Sequence, residues 1–199
     1  MAEIPLFPLK TVLLPGNTLN LKIFEPRYLD MIATCMREDG VFGVVLIHSG
    51  EETSRDTDIY SIGTTARVDD WEHRADGLLG ITALGVDRFQ IRETQTRPDG
   101  LTLAEVDYLE ENPALEIPEQ YHYMLDLLEH ISAQAGRIRN SEQSFSEILY
   151  QLIYLLPLQI ALKQRLLEMP ECADRAAILH AELIRLGVIQ YVKPDAANE

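Results

Sequence analysis

The spacing in this chain that best suits a metal is His122, Asp126 and His130, at i, i+4 and i+8. On a helix these side chains share a face, and two neighbours one turn apart can ligate the same ion. Three groups spread over two turns fit one ion poorly. No His-Glu-x-x-His or Cys-x-x-Cys pattern accompanies them. A solvated polar face opposite the stripe of Tyr121, Met124, Leu125 and Leu128 is the simpler reading, so neither metal nor cofactor is expected. A phosphate-cradling loop needs a Gly-rich turn that leads into Lys and then Ser or Thr. The lysines are Lys10, Lys22, Lys163 and Lys193, and none follows a Gly. There is no Gly-x-Ser-x-Gly elbow, and no serine has the lysine neighbour of a Ser-Lys peptidase. No catalytic residue is assigned, and the chain is read as not an enzyme. Cys35 falls on the apolar face of a helix and reads as a small buried hydrophobe. His48 and His73 sit in or near loops without an obvious partner.

Binding chemistry has better candidates. Glu25 and Arg27 flank Pro26, with Tyr28 next to them, and could edge a ligand cleft. The structural alternative, which is preferred, has Glu25 capping a helix N-terminus by charge and dipole and Arg27 bridging to a barrel carboxylate. Arg88 beside Phe89 could contact a ligand, but is read first as a brace at the barrel rim. Apolar grooves grip extended or helical polypeptide, so exposed aromatics matter. Of Phe7, Phe24, Tyr28, Phe42, Trp71 and Phe89, most must be core. Trp71, between Asp69-Asp70 and Glu72-His73-Arg74, has the most polar surroundings and is singled out as a partly exposed anchor. Burial at a barrel end is the competing reading and the preferred one. The candidate peptide- or ligand-binding set is therefore Trp71, Arg27, Tyr28, Glu25 and Arg88.

These residues need elements to hold them. Residues 4–7 and 19–24 read as short strands around the turn at Pro15-Gly16-Asn17, with Leu19, Leu21 and Ile23 alternating against Asn20 and Lys22. A helix follows over 27–38, with Pro26 in its first turn and Tyr28, Met31, Ile32 and Cys35 on its buried face. Asp39-Gly40 stops it. Residues 42–47 are an apolar strand, and 49–58 a polar surface loop. Further strands are expected over 59–68 with extension to Trp71, then 78–83, 86–93 and 101–109, with turns at Asp76-Gly77 and Pro98-Asp99-Gly100. Regular short strands with one early helix point to a closed or nearly closed barrel.

After Glu110-Glu111 the period changes to helical. Four apolar stripes are read: 121–131, 145–156 with Ser144 as N-cap, 158–169 ended by Pro170, and 176–186 ended by Gly187. They should form a bundle packed partly on the barrel. The expected division is 1–112 for the barrel and 113–199 for the helices, with a frayed tail over 193–199.

The totals exclude some partners. A net charge of −15 on 199 residues repels phosphate backbones and anionic lipid. The longest uncharged run, 148–162, is interrupted by Gln and Pro and falls short of the ~20 residues a spanning helix needs. Cys35 and Cys172 make no disulfide framework, and nothing at the start resembles a signal peptide. Neither nucleic acid nor membrane is expected as a partner, and the expected compartment is the cytoplasm.

Three segments together resemble one family, the amino-terminal substrate-binding domain of the Lon protease. They are LFPLKTVLLPGNTLNLKIFEPRYLDMI at 6–32, FGVVLI at 42–47, and IGTTARVDDWEHRADGLLGITALGVDRFQI at 62–91 with its Gly-Thr-Xaa-Ala and Gly-Xaa-Xaa-Arg-Phe elements. The helical half, with Leu155-Leu156-Pro157, resembles the continuation in stand-alone bacterial members that lack the ATPase and peptidase domains. The resemblance implies an α+β fold: a six-stranded, PUA-like pseudo-β-barrel with one packed helix, then an all-α helical bundle. It also implies recognition of polypeptides, unfolded ones included, for a proteolytic machine. The reading is a non-enzymatic module that binds polypeptide or a protein partner. The alternative is a small-molecule binder or enzyme with a pocket between barrel and bundle. Within the barrel, residues 4–28 are expected to close the sheet and dock the first helix, with any binding surface beside them.

Overall fold

The fold is seen in a computed structural model that describes residues 2–50, 52, 57–111, 116–134 and 143–189. Its longest element is the 18-residue strand β6 (Leu79–Thr96), which pairs with three others. They are β2 (Thr18–Ile23), β5 (Ile62–His73) and β7 (Thr102–Tyr108). Two strands were expected in place of β6, separated near Gly85. Gly85 instead marks a close approach. Its N–H donates to the Asn17 carbonyl at 2.9 Å, its carbonyl accepts from the Gly16 N–H at 3.0 Å, and a Cβ there would lie 2.4 Å from the Leu14 carbonyl oxygen. The Pro15-Gly16-Asn17 turn is thus stapled across a continuous strand, which only a residue without a side chain permits.

The remaining strands are β1 (Ala2–Leu9), β3 (Phe42–Ser49) and the two-residue β4 (Asp58–Ile59), making seven where six were expected. β1 pairs antiparallel with β7 and parallel with β3, so β1, β7, β6, β5 and β3 close a ring. β1 therefore closes the barrel as expected. β2 does not: it pairs with β6 alone and stands outside the ring, as β4 does at the end of β3. The β5–β6 hairpin turns at Gly77, whose φ of +80° suits the Asp76-Gly77 pair.

Helix α1 (Pro26–Glu38) lays Tyr28, Met31, Ile32 and Cys35 against Phe7, Ile23, Phe42 and Ile81 in the barrel core. Each large side chain so buried contributes roughly 1.5–3 kcal/mol. Asp39 ends the helix at φ 51°, a conformation Asp tolerates, and donates its N–H to Cys35. A short 3-10 turn (Glu119–Tyr121) leads into α2 (Tyr123–Gln134), followed by α3 (Phe145–Leu155), α4 (Ile160–Glu168) and α5 (Cys172–Arg185). Ser144 caps α3 in a reciprocal box with Glu147, and the predicted stripes form one core of Met124, Leu128, Ile148, Leu152, Leu179 and Leu183 among others. Leu14 of the barrel turn belongs to that core, so the helices sit on the barrel. The expected boundary at 112, half of the loop over 49–58 and the tail over 193–199 lie outside the described residues. No described helix is long and apolar enough to cross a membrane.

Candidate functional site

Beyond Val68, β5 leaves the ring and every residue from Asp69 to His73 is exposed. Trp71 sits there, opposite Ile81 of β6, and is 50% exposed. The expectation of a buried barrel-end Trp is thereby overturned: the hairpin outruns the sheet that would have covered it. The indole meets the His73 ring edge-on at 5.5 Å, giving that histidine the partner the sequence did not suggest. His48 also has one, Asp58, at 3.0 Å. Trp71 lines a hollow of about 300 Å3 with Asn20, Leu21, Lys22 and Ile81.

A second hollow, about 240 Å3, lies on the other side of β2, lined by Phe7, Leu19, Leu21, Phe24 and Tyr28 among others. Phe24 is 59% exposed, the most exposed of the large hydrophobic side chains described. It was one of several aromatic candidates and was not singled out. The signal was present: the alternation that turns Leu19, Leu21 and Ile23 inward turns residue 24 outward. Two hollows, the one beside Trp71 lined largely by polar and charged groups and the other mainly apolar, and two exposed aromatic rings thus lie around one short strand.

The Glu25–Tyr28 corner forms the floor of this region. Arg27 Nε donates to Glu25 at 2.9 Å, and its terminal nitrogen donates to the Gly100 carbonyl at 2.7 Å. The expected bridge to a barrel carboxylate is replaced by that main-chain contact. Glu25 is the N-cap residue of α1, but its side chain makes no capping bond and is turned to Arg27. The guanidinium lies 4.6 Å from the Tyr28 ring centre, and Tyr28 stacks on Phe7 at 4.1 Å. Burial pushes the Tyr28 hydroxyl up to about 12, against the lowering effect of Arg27 and with small raising contributions from Glu25 and Glu52. Tyr28 is neutral at physiological pH and serves as a platform rather than as an acid or base.

Arg88 belongs elsewhere. It is 2% exposed and faces the helices, donating to Glu111 at 2.8 Å, to Leu167 at 3.0 Å and to Met169 at 2.8 Å. Glu111 also accepts from Arg175 at 2.9 Å, from Tyr150 at 3.0 Å and from the Ser146 hydroxyl. Arg175 is fully buried, donates also to Ser146 Oγ and to the Leu166 and Met169 carbonyls, and lies 4.3 Å from the Tyr150 ring centre. Burial alone would push the Glu111 carboxyl up. Ser146 and the two guanidiniums outweigh it and hold the carboxyl below the usual range. Sequence reasoning missed Glu111, Ser146, Tyr150 and Arg175. A signal existed for Arg175, which falls on the buried stripe between Cys172 and Leu179. A hollow of about 310 Å3 between barrel and helices touches this cluster, but the polar groups of the cluster are engaged with one another.

Among the described residues no group of three His, Cys, Asp or Glu side chains is placed to hold a metal. His122, Asp126 and His130 are all exposed, and His122 Nε2 donates to the Ile117 carbonyl at 2.8 Å.

Comparison with known proteins agrees with this architecture. The model of the ATP-dependent protease La (LON) substrate-binding domain matches residues 3–185. The crystal structure of a Lon N-terminal domain protein from Xanthomonas campestris superposes with a TM-score of 0.78 at 30% identity, covering 91% of this chain and 98% of that one. The N-terminal domain of Mycobacterium avium complex Lon protease shares the fold, with a TM-score of 0.65 at 18% identity, over 96% of this chain and all of that one. Among curated proteins, cereblon of Xenopus tropicalis is 29% identical over 135 residues, 62% of this chain. Lon protease of Anaeromyxobacter dehalogenans is 30% identical over 94 residues, 46% of this chain. The match spans only 29% of that cereblon and 11% of that protease. The likeness therefore concerns one region of each. This chain belongs to the family of Lon substrate-binding domains.

Proposed function

We propose that this chain is a non-enzymatic module that binds polypeptide, unfolded segments included, or a protein partner. The observation that carries the reading is the match to a substrate-binding domain over residues 3–185. The exposed rings of Trp71 and Phe24 support placing the contact surface around β2. Exposed aromatic side chains supply apolar contact at low entropic cost, as a surface for varied polypeptides requires. The floor of Glu25, Arg27 and Tyr28 shapes the site, while Arg88 acts from within the fold. A charge of −15 favours neutral or basic partners over nucleic acid, and the buried free thiols of Cys35 and Cys172 suit the cytoplasm. We also propose the division into a barrel, 1–112, and a helical unit, 113–199.

Trp71 is the only tryptophan, so its fluorescence reports on this site alone. Titration with a Trp-free unfolded polypeptide is expected to shift its emission to the blue, and Trp71→Ala to weaken binding measured by a label on the polypeptide. No binding at high micromolar concentration would overturn the reading. The hollow beside Glu111 favours a small-molecule function less well, because its main polar groups are paired within the protein. A thermal-shift screen of metabolites and metals checks that alternative.

A further inference from the structure

We infer that an extended polypeptide segment binds by adding a strand to the open edge of β2. This deepens the polypeptide-binding reading and rests on it. The edge follows from the ladder. Gly85 directs its N–H to Asn17, on the β2 side of β6. Main-chain groups alternate sides along a strand, so Ala83, Ile81 and Leu79 also face β2. Their register partners Leu19, Leu21 and Ile23 face back. The N–H and C=O groups of Asn20 and Lys22 then point away from β6, and no other strand among the described residues pairs with β2.

The surroundings select the occupant. Side chains of an added strand alternate between two faces. One face lies beside Leu19 and Leu21, the other beside Asn20, Lys22 and the outward-turned Phe24, and the hollow of about 240 Å3 is lined from both. A segment alternating apolar with polar residues satisfies both. Glu25, already paired with Arg27, lines the hollow with Glu52 and Lys22, so it is the −15 of the whole chain that favours a neutral or cationic segment. The same charge argues against a second copy of this chain, which would bring two equally acidic surfaces together. β2 has only six residues, so few main-chain bonds can form and exchange is fast, as suits a surface that samples many sequences.

The test uses the whole chain and a labelled peptide of about ten residues, Val and Leu alternating with Thr and Lys. Two further versions carry N-methyl groups on alternate amides, one on each parity. Binding by anisotropy is expected for the parent. One N-methylated version should bind at least about tenfold more weakly and the other should not, since only one edge of the peptide pairs with β2. Lys22→Pro, which removes an outward N–H and no bond to β6, should weaken the parent peptide similarly, with Lys22→Ala controlling for charge and a thermal melt for folding. Equal binding of all three peptides to the wild type would overturn strand addition and leave polypeptide binding standing. Failure of every polypeptide to bind would overturn both. Concentration-dependent dimerisation that Lys22→Pro abolishes would identify a second copy as the occupant and likewise overturn the inference.

Discussion

Two regions of this molecule treat polar and apolar groups in opposite ways. At Glu111 a carboxylate is held by two guanidiniums, two hydroxyls and the burial of nearly everything around it, and it joins strand β6 to helices α3 and α5. Around β2, apolar rings stand in solvent, and no strand among the described residues pairs with its outer main-chain groups. The first region is closed: its donors are answered, and two buried guanidiniums share one carboxylate. The second is open in both hydrophobic contact and hydrogen bonding. On the proposed function, a scaffold that displays a binding edge needs rigidity elsewhere, and the difference would separate residues that hold the fold from residues left to bind.

The largest effect should come from Glu111→Ala. Arg88 and Arg175 keep their carbonyl partners but lose their shared counter-ion while buried. Breaking a buried pair from one side costs about 3–5 kcal/mol. Urea unfolding of the variant checks this; a loss below about 1 kcal/mol would show that the cluster is incidental to the fold. The same carboxylate gives a pH signature. Its folded pKa lies below the unfolded value, so its stabilisation is complete above the ordinary Glu pKa of about 4.3. It is lost as pH falls through the lower, folded value. Thermal melts from neutral to acidic pH should show that slope in the wild type and a reduced one in Glu111→Gln.

Next in size is Gly85→Ala. The added Cβ meets main chain, not a yielding side-chain tip, so β6 or the Pro15-Gly16-Asn17 turn must move. A cost of about 1–3 kcal/mol is expected, as for overpacking generally. If the melting temperature is unchanged, the turn does not grip the strand. Ser144→Ala should cost about 1 kcal/mol through loss of the reciprocal cap with Glu147.

The contrast also explains what could be read in the sequence. The buried face of α1, the helical stripes and the Asp76-Gly77 hairpin are local patterns, and periodicity or turn chemistry reveals them. The continuity of β6 was hidden because a glycine that ends a strand and one that admits a neighbouring backbone look alike in sequence. Glu111, Arg175 and Ser146 meet across dozens of residues, and nothing local announces such a meeting. The open edge of β2 was hidden for the same reason, since pairing is a property of the sheet and not of the strand. Trp71 was the residue whose polar neighbours did carry the information, and the preference for burying it came from tryptophan in general rather than from Asp69, Asp70 and Glu72.

The smallest stability change should therefore belong to the residue with the largest binding effect. Trp71 is half exposed, on a hairpin past the closed ring, and its ring contact is to an exposed histidine. Surface substitutions away from caps and buried networks usually change stability within about 0.5 kcal/mol. Trp71→Ala should thus unfold in urea close to the wild-type midpoint while losing affinity for unfolded polypeptide. Phe24→Ala should behave in the same way. Glu111→Ala, assayed under conditions where it remains folded, should do the reverse, with altered stability and near wild-type binding. A marked loss of stability in Trp71→Ala would place the indole among the residues that hold the hairpin. The division between a closed brace and an open edge would then fail at the residue chosen to represent it.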